Sequence, residues 1–377
     1  MISIIGGGIG GLTTALAFEK EGIDYCLYER TPELRPVGAG IWLAPNALQV
    51  YEWLGILDAI RQGGNAIDRI TLAEPSLQAL SDTRQEGARE IFGYTTVAIH
   101  RAVLQETLLR HLPADKVKLG KAFKLYEQLP SGRLKIDFED GTAIETDELI
   151  AADGIHSKVR QQLFPSSRTR YSGQSCWRGI ADFQPSEDFR NRGFELWGDQ
   201  MRFGFSRITE GQVYWFAVIS SPAHQTDDRE QLKVQLLERY QAFHPMVKEL
   251  IEQTPLHKII RSDINDLKPL DRWYAGNICL VGDAGHATTP NMGQGGAQAI
   301  EDAYFLAKAI GASETPSAAF PLFQKQRFKK ANDIVWQSWL TGQIAHCKYG
   351  QWLRNLLMKS LPKSFLQKKM MEVYQLG

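Results

Sequence analysis

The first thirty residues, MISIIGGGIGGLTTALAFEKEGIDYCLYER (residues 1–30), decide the fold of this 377-residue chain. Ile2–Ile5 is a short apolar run that predicts a β-strand, and Leu12–Glu21 has the pattern of a helix. A glycine-rich turn separates them, and a second strand is predicted over Asp24–Tyr28. This β-α-β unit of about thirty residues is the smallest piece of a doubly wound α/β domain.

The glycine-rich turn, GGGIGG starting at Gly6, matches the pattern G-x-G-x-x-G. Gly6 permits a tight turn, Gly8 lets the backbone approach a pyrophosphate, and Gly11 lets the helix pack closely on the strand. Glu29 ends the second strand, where its carboxylate can accept hydrogen bonds from ribose hydroxyls. The turn therefore predicts a dinucleotide site. Three interpretations of Arg30 stay open: stacking on adenine, contact with a 2′-phosphate, or a solvated arginine.

The segment AADGIHSKVR (residues 151–160) is the second motif. A buried strand delivers Asp153 and Gly154 into a turn, and a helix begins just beyond it with Ser157 available as its N-cap. Taken alone, the segment is equally compatible with an ordinary Asp-Gly turn.

The longest motif is GDAGHATTPNMGQGG (residues 282–296), followed by Glu301-Asp302-Ala303. An apolar strand, Ile278–Val281, runs into Asp283, and a glycine-rich segment then opens a helix. Asp283 can hold polyol hydroxyls, and the helix start at Gly293–Ala297 presents N–H donors to an electron-rich heterocycle. A flexible surface loop would not explain so many apolar and glycine positions beside a buried strand.

In this order, the three motifs resemble those of the class A FAD-dependent aromatic hydroxylases and monooxygenases, which have the p-hydroxybenzoate hydroxylase fold. The resemblance extends from residue 1 to about residue 345. One departure is Ala151, where the family often has glycine. The resemblance implies that FAD is bound by Gly6, Gly8, Gly10, Gly11, Glu29, Arg30, Arg101, Asp153, Gly154, Asp283, Pro290, Gly293, Gln294, Gly295 and Gly296.

The same resemblance implies how the site works. The first glycine loop would hold the ADP half of FAD, Asp283 the ribityl chain, and Pro290 with the glycines after it the flavin ring. NADH or NADPH would supply electrons without a domain of its own, O₂ would add at flavin C4a, and the terminal oxygen would pass to the substrate. Because the flavin does this chemistry, no catalytic residue is named, and His286 is expected to be chiefly structural.

Candidate substrate residues lie in the aromatic-rich stretch 170–220. Arg202 and Tyr214 sit on successive strand-like segments, where they could orient an anionic or phenolic substrate over the flavin. This spacing partly resembles the urate-hydroxylating branch of the family. An exposed sheet arginine and a core tyrosine are the alternative interpretations. Further candidates, which more often prove structural, are Trp42, Trp177 and Arg178.

Charge and cysteine content exclude other classes of function. Lys plus Arg and Asp plus Glu balance at 43 each, so no global field attracts nucleic acid or a membrane. The four cysteines show no metal-binding spacing, so we expect no metal site, reduced thiols and a cytoplasmic location. No segment approaches the ~18 apolar residues of an integral membrane span. The basic C-terminal tail can lie on a membrane surface, but packing against the FAD-binding domain is the favoured interpretation.

The predicted fold is α/β: a Rossmann-type FAD-binding domain interrupted by a β-rich substrate domain and followed by a C-terminal helical tail. The predicted ranges are 1–70, 99–165 and 266–320 for the FAD-binding parts, 71–98 and 166–265 for the substrate domain, and 321–377 for the helices.

The predicted function is that of an FAD-dependent monooxygenase that hydroxylates or epoxidises a small aromatic or conjugated substrate with NAD(P)H and O₂. Two alternatives stay open. One is an FAD-dependent reductase of the same fold without oxygen insertion, and the other is a non-catalytic flavin-binding protein. Urate-like heterocycles, phenols, salicylate-like acids, tetracycline-like polyketides and carotenoid-like alkenes are all possible substrates.

Overall fold

The helices and strands follow one another along residues 1–33 and 39–376, which the computed structural model describes. The strands are β1 (Ile2–Ile5), β2 (Tyr25–Tyr28), β3 (Gly40–Leu43), β4 (Gly64–Ile67), β5 (Arg69–Ala73), β6 (Ala79–Arg84), β7 (Thr96–His100), β8 (Val117–Lys118), β9 (Phe123–Gln128), β10 (Leu134–Phe138), β11 (Ala143–Thr146), β12 (Glu148–Ala151), β13 (Thr169–Asp182), β14 (Arg192–Trp197), β15 (Met201–Thr209), β16 (Gln212–Ser220), β17 (Ile260–Leu267), β18 (Tyr274–Ala275) and β19 (Ile278–Leu280). The helices are α1 (Ile9–Glu21), α2 (Pro45–Leu54), α3 (Leu57–Gln62), α4 (Glu86–Phe92), α5 (Arg101–Arg110), α6 (Lys158–Leu163), α7 (Leu232–Arg239), α8 (Pro245–Gln253), α9 (Asp283–His286), α10 (Gly295–Gly311), α11 (Pro316–Ala345), α12 (Gln351–Ser360) and α13 (Lys363–Tyr374).

A six-stranded sheet, in the order β18-β19-β12-β1-β2-β8, forms the centre of the FAD-binding part. Its strands run parallel except for β18. In register, Ile5 of β1 lies beside Ala151 of β12, which in turn lies beside Leu280 of β19. Each of these strands runs directly into one of the three motifs. The parallel register therefore brings all three motifs to the same edge of the sheet, which is where α/β proteins bind ligands.

A seven-stranded sheet, in the order β17-β13-β16-β15-β14-β5-β6, forms the second layer. One face carries Phe203 and Trp215, which are buried against α7 and α8 in an apolar core of their own. The opposite face carries Arg202 and Tyr214 and points away from that core. Two smaller antiparallel sheets, β11-β10-β9 and β3-β7-β4, complete the fold.

The α/β fold class is confirmed. Asp140-Gly141 turns the hairpin between β10 and β11, and Pro362 lies between the last two helices. The strands β8 and β9 are separate, because Gly120 adopts a left-handed φ of +72° between them. The domain boundaries stay a prediction: β5 and β6 join the seven-stranded sheet, whereas β7 pairs with β3 and β4.

The last two helices differ in how they contact the rest of the chain. Helix α13 packs near α2 and α4, where Tyr374 is buried with Ala44 and Ala88. Helix α12 has one buried residue, Arg354. None of the helices described is long and apolar enough to cross a membrane.

Candidate functional site

The glycine loop between β1 and α1 packs tightly against the protein at Gly6 and Gly11 and is open at Gly8. Gly6 has a φ of +110°, and a Cβ there would lie 2.5 Å from the carbonyl oxygen of Ala152. A Cβ on Gly11 would collide with the Gly6 carbonyl oxygen, whereas a Cβ on Gly8 would meet no atom within 4 Å. The space at Gly8 adjoins the N-terminus of α1, so a phosphate group fits there.

Glu29, at the end of β2, holds this loop in place. Its buried carboxylate accepts hydrogen bonds from the backbone N–H of Gly7 (2.5 Å) and of Thr31 (2.9 Å). From α5, Gln105 Nε2 donates to the Gly7 carbonyl oxygen (3.1 Å). The neighbouring Arg30 is exposed. The loop is therefore fixed from two sides before any ligand contacts it.

Asp153 follows β12 and presents a carboxylate oxygen without a protein partner. Its Oδ2 accepts from the backbone N–H of Val159 (3.3 Å), while its buried Oδ1 has no hydrogen-bond partner among the described residues. Burial raises the pKa of Asp153, and a hydrogen bond with Ser157 partly opposes this rise. Gly154 takes the turn with a φ of +80°. Ser157 accepts from Arg160 N (2.9 Å), so the predicted N-cap is confirmed.

Arg160 connects the second motif to the third. Its side chain is buried, with Nη1 donating to the Ala284 carbonyl (3.1 Å) and Nη2 donating to the Ile155 carbonyl (2.6 Å). No pattern in the sequence indicates this role, because both acceptors are backbone atoms and one lies more than a hundred residues away.

Asp283 follows β19 through Gly282, which has a φ of +56°. Its side chain opens to the cleft yet is surrounded by protein, and this burial raises its pKa. His286, Arg101 and Arg160 oppose the rise with their positive charges. Arg101, the first residue of α5, therefore lies near enough to Asp283 for its charge to act on that carboxyl group.

A buried charge network fixes the start of this motif. Asp302 Oδ2 accepts from the Gly282 backbone N–H (2.8 Å) and contacts His286 Nε2 (2.6 Å), and Asp302 Oδ1 accepts from Arg327 Nε (2.9 Å). Burial disfavours the ionised form of Asp302, but the charges of His286 and Arg327 outweigh it and lower its pKa to about 2. His286 is thus held inside the fold, as the structural interpretation of this residue requires.

Arg327 on α11 is the centre of that network, and no pattern in the sequence marked it. It is fully buried and pairs with the equally buried carboxylates of Glu301 and Asp302. Its Nη2 also donates to Gln298 Oε1 (2.6 Å). Two carboxylates on α10 and one guanidinium on α11 therefore lock the helix that begins at the glycine-rich segment.

The N-terminus of α10 meets the first glycine loop. A Cβ on Gly10 would lie 3.2 Å from Ala299 Cβ, and a Cβ on Gly282 would lie 2.7 Å from the same atom. The third motif therefore packs directly on the first, and its own glycines allow equally close approach: a Cβ on Gly296 would lie 2.9 Å from Ile41.

The residues just before α10 complete this end of the cleft. Gly293 turns the chain with a φ of +63°, and the buried Gln294 accepts from Asn46 Nδ2 (3.0 Å). Gly295 begins the helix, and Pro290 is exposed.

The chemistry of this cleft fits FAD. An open position at Gly8 beside a helix N-terminus suits a pyrophosphate. The unpaired carboxylate oxygen of Asp153 and the accessible carboxylate of Asp283 can accept hydrogen bonds from hydroxyl groups of a ligand. The first turn of α10 supplies backbone N–H groups and positive dipole to the polar edge of a flavin ring.

Arg202 lies on the sheet face opposite the α7–α8 core, but it is not a free cation. It is 2% exposed, and its donors reach Glu195 Oε1 (2.9 Å), Gln174 Oε1 (3.2 Å), Asn291 Oδ1 (2.7 Å) and His346 Nε2 (2.9 Å). A guanidinium has five N–H groups, so four are used and one is left. Because Arg202 donates to His346 Nε2, this imidazole is neutral with its proton on Nδ1. Burial, followed by the charges of Arg202 and Arg354, lowers the pKa of His346 to about 3.

Tyr214 shares this face but has different partners. It is paired in register with Ser206, four residues from Arg202 along β15, a distance of about 13 Å. Burial raises the pKa of Tyr214 to about 12, although the positive charge of Arg178 opposes the rise. Trp42 Nε1 donates to Ser206 Oγ (2.8 Å) beside it.

Phe216 stands between these two groups and was missed in the sequence. Its half-buried ring covers Gly204, where a Cβ would collide with it. Strict alternation along β16 places it on the same face as Tyr214 and could have revealed it. Trp177 points to the other face, into the α7–α8 core, and its Nε1 donates to Asp227 (2.7 Å).

Comparisons with known proteins agree with this geometry. The FAD binding domain family model matches residues 1–331. The aurachin C monooxygenase/isomerase of Stigmatella aurantiaca is 37% identical over 362 residues, which are 96% of this chain and 94% of that protein. The 2-heptyl-3-hydroxy-4(1H)-quinolone synthase of Pseudomonas aeruginosa is 32% identical, with 96% and 94% covered.

A solved structure matches over the whole chain. Klebsiella pneumoniae HpxO complexed with FAD and uric acid has a TM-score of 0.92 at 28% identity, covering 100% of this chain and 97% of that one. The chain therefore belongs to the FAD binding domain family and is an FAD-dependent monooxygenase of the class A flavin type.

Proposed function

We propose that this monooxygenase takes its electrons from NADH or NADPH and inserts oxygen into a neutral N-heteroaromatic substrate of the 4-quinolone class. The observation that carries the substrate proposal is the way in which the charge and the N–H groups of Arg202 are already paired within the protein. Its charge is paired with Glu195, and its other partners, Gln174, Asn291 and a neutral His346, carry no charge. We call the region in front of the sheet face that carries Arg202, Phe216 and Tyr214 the substrate chamber, or chamber. Its Arg202 end therefore offers hydrogen bonding without a net positive charge for an anion.

The name of one relative supports the same substrate class, because that protein is a 2-heptyl-3-hydroxy-4(1H)-quinolone synthase. The name of another, an aurachin C monooxygenase/isomerase, supports oxygen insertion. A 4-quinolone ring is flat and neutral, with one carbonyl and one ring N–H. The remaining N–H of Arg202 can donate to that carbonyl, and the half-buried ring of Phe216 can pack against the flat ring system.

We further propose roles for the residues around FAD, which supplies the activation of O₂ when it is bound and reduced. Gly6, Gly8, Gly10, Gly11 and Glu29 hold the ADP half, with Arg30 at the adenine end. Asp283 and Arg101 hold the ribityl region, and the segment Pro290–Gly296 with the start of α10 orients the ring. Asp153 and Gly154 serve both FAD and the nicotinamide donor. Partly buried Trp42, with the buried Ser206 and Tyr214 beside it, excludes water from the chamber. A cytoplasmic location also stays a prediction.

The substrate proposal is tested by titrating the oxidised holoenzyme and following the visible flavin spectrum. We expect a 2-alkyl-4-quinolone without a 3-hydroxyl group to bind at least about tenfold more tightly than the urate monoanion. NADH oxidation and product mass are then measured with both compounds. Tighter binding and faster turnover of urate would exclude the quinolone assignment while leaving the monooxygenase unaffected.

The cofactor roles are tested by Asp283→Ala, with Asp271→Ala as a matched exposed carboxylate on a different loop. We expect Asp283→Ala to be purified with little FAD and Asp271→Ala to keep a full complement. A yellow, fully active Asp283→Ala protein would remove Asp283 from the site.

A further inference from the structure

Helix α12 turns its apolar side chains toward solvent and a charged side chain toward the protein, which is the reverse of an ordinary surface helix. Its exposed side chains include Trp352 (73%), Leu353 (45%), Leu356 (55%) and Leu357 (56%), while its buried side chain is Arg354. The exposed positions i, i+1, i+4 and i+5 form one continuous helical stripe. A helix that packs on a protein normally turns such a stripe inward.

A second apolar stripe lies on the chain just before α12. Trp336 (63%), Leu340 (40%) and Ile344 (43%) are spaced four residues apart, so they share one face of α11. Tyr349, 80% exposed, lies in the connection between the two helices. We call these side chains, with Trp352, Leu353, Leu356 and Leu357, the docking surface. Large apolar side chains exposed at this density along residues 336–357 indicate an interaction surface.

The charge of this region identifies what covers it. Between Asp333 and Glu372 the sequence has no Asp or Glu, but it has Lys348, Arg354, Lys359, Lys363, Lys368 and Lys369. The chain as a whole is balanced at 43 charges of each sign, so this run is a local excess of positive charge along the sequence. Lys359 is paired with Glu74, Lys369 is paired with Glu372, and Arg354 is buried. The positive charge offered to a partner therefore comes mainly from the exposed Lys348 and Lys368. Apolar side chains flanked by lysines match the interface of a bilayer with anionic head groups.

We propose that the docking surface binds the face of an anionic lipid bilayer. A second copy of this chain is the less favourable occupant, because a two-fold interface would bring the same lysines close to one another. The inner side of α12 supports a rigid attachment: Arg354 Nη1 donates to the Ala345 carbonyl (2.7 Å), and its guanidinium lies 5.2 Å from the Trp197 ring.

The docking surface adjoins the substrate chamber through the chain. His346, a partner of Arg202, lies between α11 and α12. Trp197 Nε1 donates to Glu195 Oε1 (2.9 Å), which also pairs with Arg202. Binding at a bilayer would thus place the chamber beside the phase in which an alkylated, sparingly soluble substrate dissolves. The bilayer contact itself does not depend on the proposed substrate.

The test is co-sedimentation of the holoenzyme with vesicles of phosphatidylglycerol and phosphatidylcholine, compared with vesicles of phosphatidylcholine alone. We expect binding to the anionic vesicles that weakens as salt is raised. The variant Trp352→Glu/Leu356→Glu should bind at least about tenfold more weakly. Lys348→Gln/Lys368→Gln should lose about fivefold per lysine.

Val234→Glu is the matched control, since Val234 is also an exposed apolar residue (49%) but lies on α7. It should bind vesicles as the wild type does, and all variants should keep their FAD and their melting temperature. The proposal is overturned if the wild type ignores anionic vesicles, or if Trp352→Glu/Leu356→Glu binds them unchanged. A wild-type dimer in sedimentation velocity that this variant converts to monomer, without vesicle binding, would assign the surface to self-association instead.

Discussion

Two buried arginines each organise one half of this molecule, with different partners. Arg327, on the flavin side, pairs with two fully buried carboxylates, Glu301 and Asp302. Arg202, on the substrate side, pairs with one partly exposed carboxylate, Glu195, and otherwise with neutral groups. The first network is ionic, and its guanidinium and both carboxylates are fully buried. The second network is mostly neutral and faces the chamber.

The difference shows how one fold separates the cofactor from the substrate. Carboxylates on α10 and a guanidinium on α11 fix the helix start that faces the flavin, and a rigid ionic network suits a cofactor that stays bound. On the other side, the partners of Arg202 other than Glu195 are neutral, so replacing one of them would leave no new buried charge unpaired. The substrate side therefore tolerates a change of partner more readily than the flavin side does.

The largest expected effect comes from breaking the ionic network. Arg327→Leu leaves two buried carboxylates without their guanidinium, which should lower the free energy of unfolding by about 3–5 kcal/mol. FAD retention should fall as well, because Gly282 and α10 depend on Asp302. Chemical denaturation measures this loss. Lys329→Leu is the control, since Lys329 is 89% exposed and should change stability by less than about 0.5 kcal/mol. Equal denaturation midpoints for the two variants would contradict the account.

As the pH is lowered, the free energy of unfolding should first lose the contribution of His346, on the substrate side. The pKa of His346 is lowered to about 3 in the folded chain but is about 6.5 when unfolded. A depressed histidine pKa contributes stability that is present above pH 6.5 and is lost as the pH falls toward 3. By pH 5 the loss should be about 2 kcal/mol. Unfolding curves at pH 7 and pH 5 should show this loss in the wild type and a smaller one in His346→Gln. Identical pH dependence in both proteins would show that His346 is not the cause.

Removing the guanidinium from the neutral network should act on substrate binding. Arg202→Leu should raise KM for the substrate about tenfold, equivalent to ~1.4 kcal/mol, and leave FAD content unchanged. Steady-state kinetics with flavin quantification test this prediction. Arg207→Leu, on the same strand but bonded to the Thr209 carbonyl, should keep the wild-type KM. An unaltered KM in Arg202→Leu would remove Arg202 from the substrate chamber.

The smallest effect is expected from acid on the flavin side. Despite burial, the pKa of Asp302 is lowered to about 2 by His286 and Arg327, compared with 3.8 for the ordinary group. Its stabilisation is present above pH 3.8 and is lost as the pH falls through 2. About 1 kcal/mol should be lost by pH 3. Asp302→Asn should lack this step in its unfolding free energy between pH 4 and pH 3, and a step that persists in the variant would argue against it.

The comparison also explains what could be predicted from the sequence. Each of the three motifs is a continuous segment of strand, turn and helix start. Gly6–Gly11, Asp153 and Asp283 could therefore be predicted from a short stretch of sequence. The parallel register of β1, β12 and β19 then brings them together. The resemblance supplied the expectation that they form one FAD site.

The networks around Arg327 and Arg202 could not be predicted from the sequence in the same way. Glu301 and Asp302 were visible beside the third motif, but Arg327 lies a helix away in an ordinary amphipathic pattern. The partners of Arg202 come from β13, β14, the loop before α10 and the end of α11, which only the tertiary fold brings together. The tail showed apolar and basic residues, but its sequence could not say that α12 turns its apolar side outward.

The central claim, oxygen insertion by a bound flavin into a neutral heteroaromatic ring, is tested most directly with labelled oxygen. The holoenzyme is incubated with NADH, ¹⁸O₂ and a 2-alkyl-4-quinolone, and the product is examined by mass spectrometry. We predict a product that has gained one oxygen atom and that this atom is ¹⁸O. A reduced substrate without new oxygen, or NADH consumption that yields only hydrogen peroxide with every ring tested, would contradict the account.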